Sequence, residues 1–193
     1  MKIINVKARK LLIVVDMVNG FAKKGNMAEP NIQHITPECE RLVKEFLEKG
    51  YQVIYITDCH KENCNEFLKF PVHCVEGTDE AEMVDALKKY QDRVIVIKKN
   101  STSAMFAPGF MDIINQMTDL EEVVIIGCCT DICVQNLAIP LANYFDEMDR
   151  PVRITIPMNA VETYNAPYHQ KDEYNEMAFK FMKQTGINIV ERY

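Results

Sequence analysis

The stretch Leu11-Leu12-Ile13-Val14-Val15 is an unbroken apolar run, and it stops at a carboxylate, Asp16. Short runs of the same kind recur along the chain and alternate with segments in which apolar residues are spaced as in a helix. Strands that are apolar throughout are typical of parallel sheets whose two faces are both covered by helices. The sequence therefore predicts a three-layer α/β/α sandwich with a mainly parallel sheet of about six strands.

The predicted elements follow one another from end to end of the chain. The predicted strands cover residues 11–15, 51–57, 93–97, 123–126, 152–156 and 187–190. The predicted helices cover residues 29–49, 79–90, 110–117, 131–145 and 171–184. Because no repeat, low-complexity tract or Gly/Ser linker marks a boundary, residues 1–193 are predicted to form a single domain.

Composition excludes several classes of protein. The formal net charge is −6 and no stripe of Lys and Arg is present, so we expect no nucleic-acid partner. No apolar stretch approaches the roughly 20 residues of a membrane span, and the first residues do not resemble a signal peptide. We therefore expect a cytoplasmic protein with no membrane partner. In that reducing compartment, an odd count of seven cysteines indicates free thiols, metal ligands or a nucleophile.

Four chemically reactive side chains follow four different predicted strands. Asp16, Asp58 and Lys99 come at the ends of the first three strands, and Cys133 begins the helix after the fourth. The carboxyl ends of parallel strands share one edge of the sheet, which is where α/β proteins bind their ligands. We expect these four side chains to meet there.

Cys133 is the candidate nucleophile. A thiol near a helix N-terminus feels the positive end of the helix dipole and free backbone N–H groups, which favour the thiolate and can hold an oxyanion. Asp16 can accept the thiol proton, and Lys99 can hold the two anions together. Taken singly, each has an ordinary alternative: a buried structural cysteine, a turn aspartate and a solvated lysine. Their convergence favours catalysis.

A second group of polar residues surrounds Asp58. His60 lies two positions on and projects to the same side of an extended chain, Glu66 follows, and His73 arrives from the next loop. Two imidazoles and a carboxylate with open positions suit a catalytic divalent ion such as Zn²⁺, Fe²⁺ or Mn²⁺. Surface histidines are the alternative. A structural zinc site is disfavoured because the nearby cysteines lack paired Cys-x-x-Cys spacing; they are Cys59, Cys64 and Cys74.

Three segments resemble the isochorismatase-like cysteine hydrolases, and among them most closely the nicotinamidases (pyrazinamidases). Residues 12–21 (LIVVDMVNGF) are similar to the family's opening strand, 99–104 (KNSTSA) to its lysine segment, and 127–134 (GCCTDICV) to its nucleophile segment. The three motifs occur in the family's order, each at the end of a predicted strand.

The resemblance implies a role for each residue of the nucleophile site. Asp16 would be the general base, Lys99 its partner and Cys133 the nucleophile. The oxyanion hole would consist of the backbone N–H groups of Cys129 and Cys133. In the family the peptide bond before the first of these is cis, which here is the bond between Cys128 and Cys129.

The resemblance also implies a metal site, because nicotinamidases carry an Asp-x-His motif that isochorismatases proper lack. Asp58, His60 and His73 map onto the nicotinamidase ligands. Glu66 stands where some members have a third histidine and others a glutamate, and Phe70 stands where an indole is usual. The family thus implies one bound divalent metal ion (Zn, Fe or Mn).

The implied function is metal-dependent hydrolysis of nicotinamide to nicotinate and ammonia through a Cys133 thioester, a step of NAD salvage. The pyridine ring would lie between Phe21 and Phe70. Two alternatives stay open: a cysteine hydrolase of the same fold acting on another small amide or a ureido acid, and a non-catalytic binding module. A vinyl-ether hydrolase is disfavoured because the cysteine and the metal residues are present. Members of the family commonly associate, which makes a homo-oligomer one expectation.

Overall fold

The computed structural model describes residue 5 and residues 7–193, and a seven-stranded sheet lies at its centre. The strands are β1 (Lys10–Val15), β2 (Gln52–Asp58), β3 (Ile95–Lys99), β4 (Glu122–Cys128), β5 (Arg153–Pro157), β6 (Val161–Glu162) and β7 (Asn188–Val190). Their order is β3-β2-β1-β4-β5-β7, with β6 also paired to β4, and all pairs are parallel. The predicted fold class is confirmed.

Residues 11–15 of strand β1 show why this run is apolar at every position. Leu11, Ile13 and Val15 belong to the hydrophobic core on one face of the sheet, whereas Leu12 and Val14 belong to the core on the other face. All five side chains are fully buried. Successive strand residues point to opposite faces, so a strand covered on both faces needs an apolar residue at each position.

Seven α-helices in the described part of the chain cover the two faces of the sheet. They are α1 (Asn19–Ala22), α2 (Pro30–His34), α3 (Thr36–Glu48), α4 (Asp85–Lys88), α5 (Phe110–Gln116), α6 (Gln135–Glu147) and α7 (Lys171–Gln184). Apolar residues of α1–α4 pack in the core that holds Leu12, and those of α5–α7 pack in the core that holds Leu11. This arrangement leaves the carboxyl edge of the sheet free to carry a site.

The helix predicted over residues 29–49 is divided into α2 and α3. Pro37 lies in the first turn of α3 and has no backbone N–H to donate, so one continuous helix is disfavoured at this point. The backbone N–H of Ile35 instead bonds to the carbonyl of Ile32 and closes α2, and the N–H of Cys39 bonds to Ile35 in the new helix.

The prediction of one helix over residues 79–90 is wrong. The segment contains a 3₁₀ turn at Asp79–Ala81 and the short helix α4, with extended chain between them. The extended part pairs with the loop after β1: Met83 forms an antiparallel bridge with Val18, and Val84 N–H donates to the carbonyl of Met17. Tertiary hydrogen bonds therefore replace the helical ones that the periodicity predicts.

The strand order places a switch point between β1 and β4, because the chain leaves β1 toward β2 on one side and returns as β4 on the other. In open α/β sheets this crevice at the carboxyl ends is the usual ligand site. Asp16 follows β1 at this point, and the segment that leads to Cys133 follows β4.

Among the described residues, no helix combines the length and apolar character needed to cross a bilayer. The first four residues and residue 6, on which the expectation of no signal peptide partly rests, lie outside the described part of the chain.

Gly127 permits the close approach of β4 to β1, which leads to a stability prediction. Its φ is +112°, and a Cβ at this position would lie 2.0 Å from the carbonyl oxygen of Val15. We expect Gly127→Ala to lower the free energy of unfolding, measured by urea denaturation, by more than about 3 kcal/mol.

Gly50→Ala is the matched control. Gly50 also has positive φ (+72°), but no described residue outside its own neighbours comes within 4 Å of the added Cβ. Its expected cost is the left-handed backbone strain alone, about 1 kcal/mol. Equal losses in the two variants would show that the approach of β1 to β4 does not require glycine.

Candidate active site

Asp16 is fixed at the carboxyl end of β1 by two backbone contacts to β2. It has φ of +52° and no solvent exposure. Its N–H donates to the carbonyl of Ile56 at 2.9 Å, and its Oδ1 accepts from the N–H of Asp58 at 2.8 Å. The carboxylate is thus held between the ends of two neighbouring strands.

Lys99, the last residue of β3, brings the predicted residues together. Its buried Nζ lies 2.9 Å from Asp16 Oδ2 and 3.7 Å from Cys133 Sγ, and it donates a hydrogen bond to Asp58 Oδ1. Burial alone would lower the pKa of this ammonium, but Asp16 and Asp58 raise it well above its ordinary value. Lys99 therefore stays charged, and the alternative of a solvated lysine is wrong.

The two buried carboxyl groups differ in pKa. Burial and the charge of Asp58 raise the pKa of Asp16 to about 7, against the opposing effect of Lys99. Burial would also raise the pKa of Asp58, but Lys99 and the imidazoles of His60 and His73 hold it well below its ordinary value. Two neighbouring carboxyls with separated pKa values suit an exchangeable proton on one and a permanent charge on the other.

Cys133 lies in a π-helical turn, Thr130–Val134, that continues into α6. Burial raises the pKa of its thiol well above the ordinary value, although Lys99 acts in the opposite direction. The expectation that the helix start favours the thiolate is therefore outweighed by burial. Sγ and one carboxylate oxygen each of Asp16 and Asp58 lie within 4.8 Å of one another. The Cys133 thiol and the Asp16 carboxyl group are therefore close enough for an arrangement that suits proton transfer between them.

The segment before this turn contains a cis peptide bond between Cys128 and Cys129, at the place that the family resemblance implies. Cys128 Sγ donates to the carbonyl of Asp16 at 3.2 Å, which ties the segment to β1. Cys129 lines the same pocket as Cys133. An oxyanion hole formed by the N–H groups of these two residues stays a prediction.

Asp58, His60 and His73 form a buried group whose donor atoms all lie within 4.8 Å of one another. The two Nε2 atoms are 3.1 Å apart, and they lie 3.5 and 3.6 Å from the oxygens of Asp58. His73 Nδ1–H donates to the carbonyl of Pro71 at 2.7 Å, which leaves Nε2 as the ring nitrogen that faces the group. Two converging imidazoles and a permanently charged carboxylate fit a divalent metal ion.

Glu66 lies at the side of this group and is not among the three residues that converge. Its Oε1 accepts a hydrogen bond from Thr102 Oγ1 at 2.6 Å, and both side chains line the pocket that holds Cys133. A role for Glu66 as a metal ligand stays a prediction.

Phe21 and Phe70 both line this pocket, as the resemblance implies. Their ring centroids lie 5.5 and 6.5 Å from that of His73. The pocket opens into an outer chamber of about 410 Å³ that shares the two phenylalanines and Cys129. Aromatic walls next to a converging polar group are typical of a small-molecule site.

Several residues of the site are absent from the sequence-based prediction. Phe67 packs its ring 5.3 and 5.6 Å from those of His60 and His73, and Thr102 bonds to Glu66. These residues lie in loops and short 3₁₀ turns, where no periodic pattern marks a residue. Two signals were present: Phe67 directly follows Glu66, and Thr102 lies within the segment 99–104 that begins at Lys99.

The burial of Lys99 generates a stability prediction. Lys99→Met removes the cation from between two buried carboxylates, so we expect a loss of about 3–5 kcal/mol in the free energy of unfolding. Lys98→Met is the control: the Lys98 side chain is 61% exposed and pairs with Glu76, and its loss should cost less than about 1 kcal/mol. Similar losses, measured by urea denaturation, would contradict the central role of Lys99.

Comparison with known proteins identifies relatives of this chain. A model of the isochorismatase domain matches residues 10–191. Nicotinamidase 1 of Arabidopsis thaliana is 32% identical over 137 residues, which cover 64% of this chain and 56% of that protein. A pyrazinamidase/nicotinamidase structure from Streptococcus mutans has a TM-score of 0.80 at 25% identity, covering 94% of this chain and 99% of that one.

A structure of the pyrazinamidase of Pyrococcus horikoshii in complex with zinc has a TM-score of 0.77 at 27% identity, covering 95% of this chain and 99% of that one. The named relatives point to an amide-cleaving hydrolase. The family match extends over the strands, loops and helical turn that carry the site, and the chain belongs to the isochorismatase domain family.

Proposed function

We propose that this protein is a metal-dependent cysteine amidohydrolase that converts nicotinamide and water to nicotinate and ammonia, a step of NAD salvage. The observation that carries the proposal is a single pocket. Cys133, Asp58 and His73 line it. Lys99 contacts Cys133 and pairs with Asp16, and His60 converges with His73 on Asp58. Nicotinamidases among the relatives support the choice of substrate.

In the first half of the reaction, Asp16 takes the proton of the Cys133 thiol as sulfur attacks the amide carbon. The carbonyl π electrons move to oxygen, and the backbone N–H groups of Cys129 and Cys133 stabilise that oxyanion. As the C–N bond breaks, Asp16 returns the proton to nitrogen and ammonia leaves. Lys99 holds the Asp16 carboxylate and the Cys133 thiolate next to each other.

In the second half, water attacks the thioester carbon while Asp16 accepts a proton from it. The second tetrahedral intermediate collapses and breaks the bond between carbon and sulfur. The leaving thiolate recovers its proton from Asp16, which gives free Cys133 and nicotinic acid, and the acid loses its proton to solvent to become nicotinate. The pKa of Asp16, about 7, suits a group that accepts and returns a proton in each half.

Asp58, His60 and His73 would hold the divalent metal ion. A bound metal ion supplies a Lewis-acidic centre that can fix the pyridine nitrogen of the substrate. Phe21 and Phe70 would lie against the pyridine ring and exclude water from it, since both line the pocket beside His73. Together these groups would direct the amide carbon toward Cys133.

Loss of the nucleophile is the direct test of the reaction. We expect Cys133→Ala to reduce ammonia release from nicotinamide by at least about 1,000-fold, because sulfur forms the covalent intermediate. Cys39→Ala is the control, since Cys39 is buried in α3 and its thiol faces the carbonyl of Ala160, outside the pocket. Full amide hydrolysis by the Cys133 variant would end this mechanism.

A panel of amides tests the proposed substrate independently of the proposed Cys133 mechanism. Nicotinamide, pyrazinamide and small ureido acids are compared by ammonia release under the same conditions. Turnover of a ureido acid without turnover of nicotinamide would keep the Cys133 mechanism and replace the proposed substrate.

The metal group gives a separate prediction. His60→Ala removes one of three converging donors, so we expect the bound metal per chain, measured after dialysis, to fall as affinity drops by more than about 100-fold. His34→Ala, at an exposed histidine, serves as the control. Retained metal in the His60 variant would show that the ligand set is wrong, and activity unchanged by a chelator would remove the metal from the mechanism.

A further inference from the structure

Asp131 lies two residues before Cys133, and the mechanism above leaves it without a role. Within the described residues, this turn has no side-chain cap bond, so Asp131 does not act as a helix N-cap. Both carboxylate oxygens have other partners: Oδ1 accepts from Thr163 Oγ1 at 2.5 Å, and Oδ2 lies 2.8 Å from His169 Nε2. The turn that carries the nucleophile is therefore tied, through Asp131, to the segment after β6.

His169 is only 3% exposed, and both of its ring nitrogens face acceptors. Nε2 faces the carboxylate of Asp131, and Nδ1 lies 3.0 Å from the carbonyl oxygen of Tyr164. Neither partner can donate in its ordinary state, so each nitrogen must carry a hydrogen. A neutral imidazole carries one ring N–H, whereas an imidazolium carries two, so only the cation makes both hydrogen bonds.

The rings on either side of His169 favour the same charge state. Tyr164 stacks on one face with centroids 3.8 Å apart and an angle of 15°, and Tyr174 stacks on the other at 3.6 Å and 27°. The faces of aromatic rings carry negative partial charge and attract cations. In the described part of the chain, the titratable groups that face the imidazole are thus the Asp131 carboxylate and the two phenols.

The same histidine also anchors one wall of the outer chamber. Tyr164, Asn165 and Tyr168 line that chamber, and all three lie in the segment that ends at His169. Two backbone hydrogen bonds between Ala166 and His169, each 2.9 Å, close this segment into a compact turn. A displacement of His169 would move the chamber wall together with the turn that carries Cys133.

We infer that His169 is a positioning residue, held as an imidazolium between two tyrosines, that fixes the Cys133 turn through Asp131 and the chamber wall through Tyr164. Its charge state follows from the contacts alone. Its effect on turnover rests on the proposed function, and the measurements below separate the two.

The charge state is tested by NMR of the protein labelled with ¹⁵N in its four histidines. At pH about 7.5, where an ordinary imidazole is mostly neutral, we expect both ring nitrogens of His169 to carry hydrogen. The His169 signals are identified by their loss in His169→Phe, and exposed His34 serves as the reference within the same sample. One unprotonated nitrogen on His169 would overturn the inference.

Asp131→Asn gives a second spectroscopic test that purely structural packing would not reproduce. The amide keeps the size of the side chain and can still accept one hydrogen bond, but the negative charge is gone. At the same pH we expect one His169 nitrogen to lose its hydrogen in this variant. An imidazolium that persists in the Asp131→Asn protein would show that Asp131 does not hold the charge.

Positioning is measured on Cys133 itself. We expect Asp131→Asn and His169→Phe, which keeps a flat ring between the tyrosines, to slow iodoacetamide alkylation of Cys133 and to lower kcat by about 10- to 100-fold. His34→Phe should leave both unchanged. Unaltered alkylation in both site variants would refute the positioning role. If nicotinamide is not the substrate, the wild type fails in the turnover assay while the NMR and alkylation results still decide.

Discussion

Lys99 lies between two buried carboxylates, and the rest of the site depends on how these three charges are balanced. A low-dielectric interior tolerates an unpaired charge poorly, so one ammonium cannot satisfy two ionised carboxylates equally. The surroundings give the two carboxyl groups different pKa values. Asp58, with Lys99 and two imidazoles beside it, stays ionised, whereas the pKa of Asp16 rises to about 7. The same imbalance suits Asp16 to the proposed role of proton acceptor and Asp58 to the proposed role of ligand to a divalent cation.

The parallel sheet assembles this cluster from strand ends, with little dependence on loop conformation. Asp58 and Lys99 are register partners in neighbouring strands, and Asp16 follows Val15, which pairs with Ile56 on one side and Gly127 on the other. Residues that are distant in sequence therefore meet because their strands end together. The apolar runs that bury the strands also remove water from the cluster, which strengthens every charge interaction in it.

This geometry explains which features of the fold and the site could be predicted from the sequence alone. Strand ends are visible in the sequence, so the fold class and the meeting of Asp16, Asp58, Lys99 and Cys133 could be predicted. Contacts between loops leave no such signal: the extended segment around Met83 has helical spacing, yet its backbone bonds to the loop after β1. The partnership of Asp131 with His169 is hidden for the same reason, since 38 residues separate them and no pattern links the two segments.

The turn that carries Cys133 lies between two hydrogen-bonded networks that differ in how fully their polar atoms are bonded. In the first network, both oxygens of Asp131 have hydrogen-bond partners and both nitrogens of His169 face acceptors. A proton therefore cannot move within this network without breaking a contact. In the second network, Asp16 Oδ2 lies 2.9 Å from Lys99 Nζ yet has no well-aligned hydrogen bond among the described residues. A buried oxygen left incompletely bonded is unfavourable for folding, but in the proposed mechanism it is available to take the proton of the Cys133 thiol. The network around Asp131 therefore suits the positioning role that we infer, and the network around Asp16 suits the proton exchange that we propose.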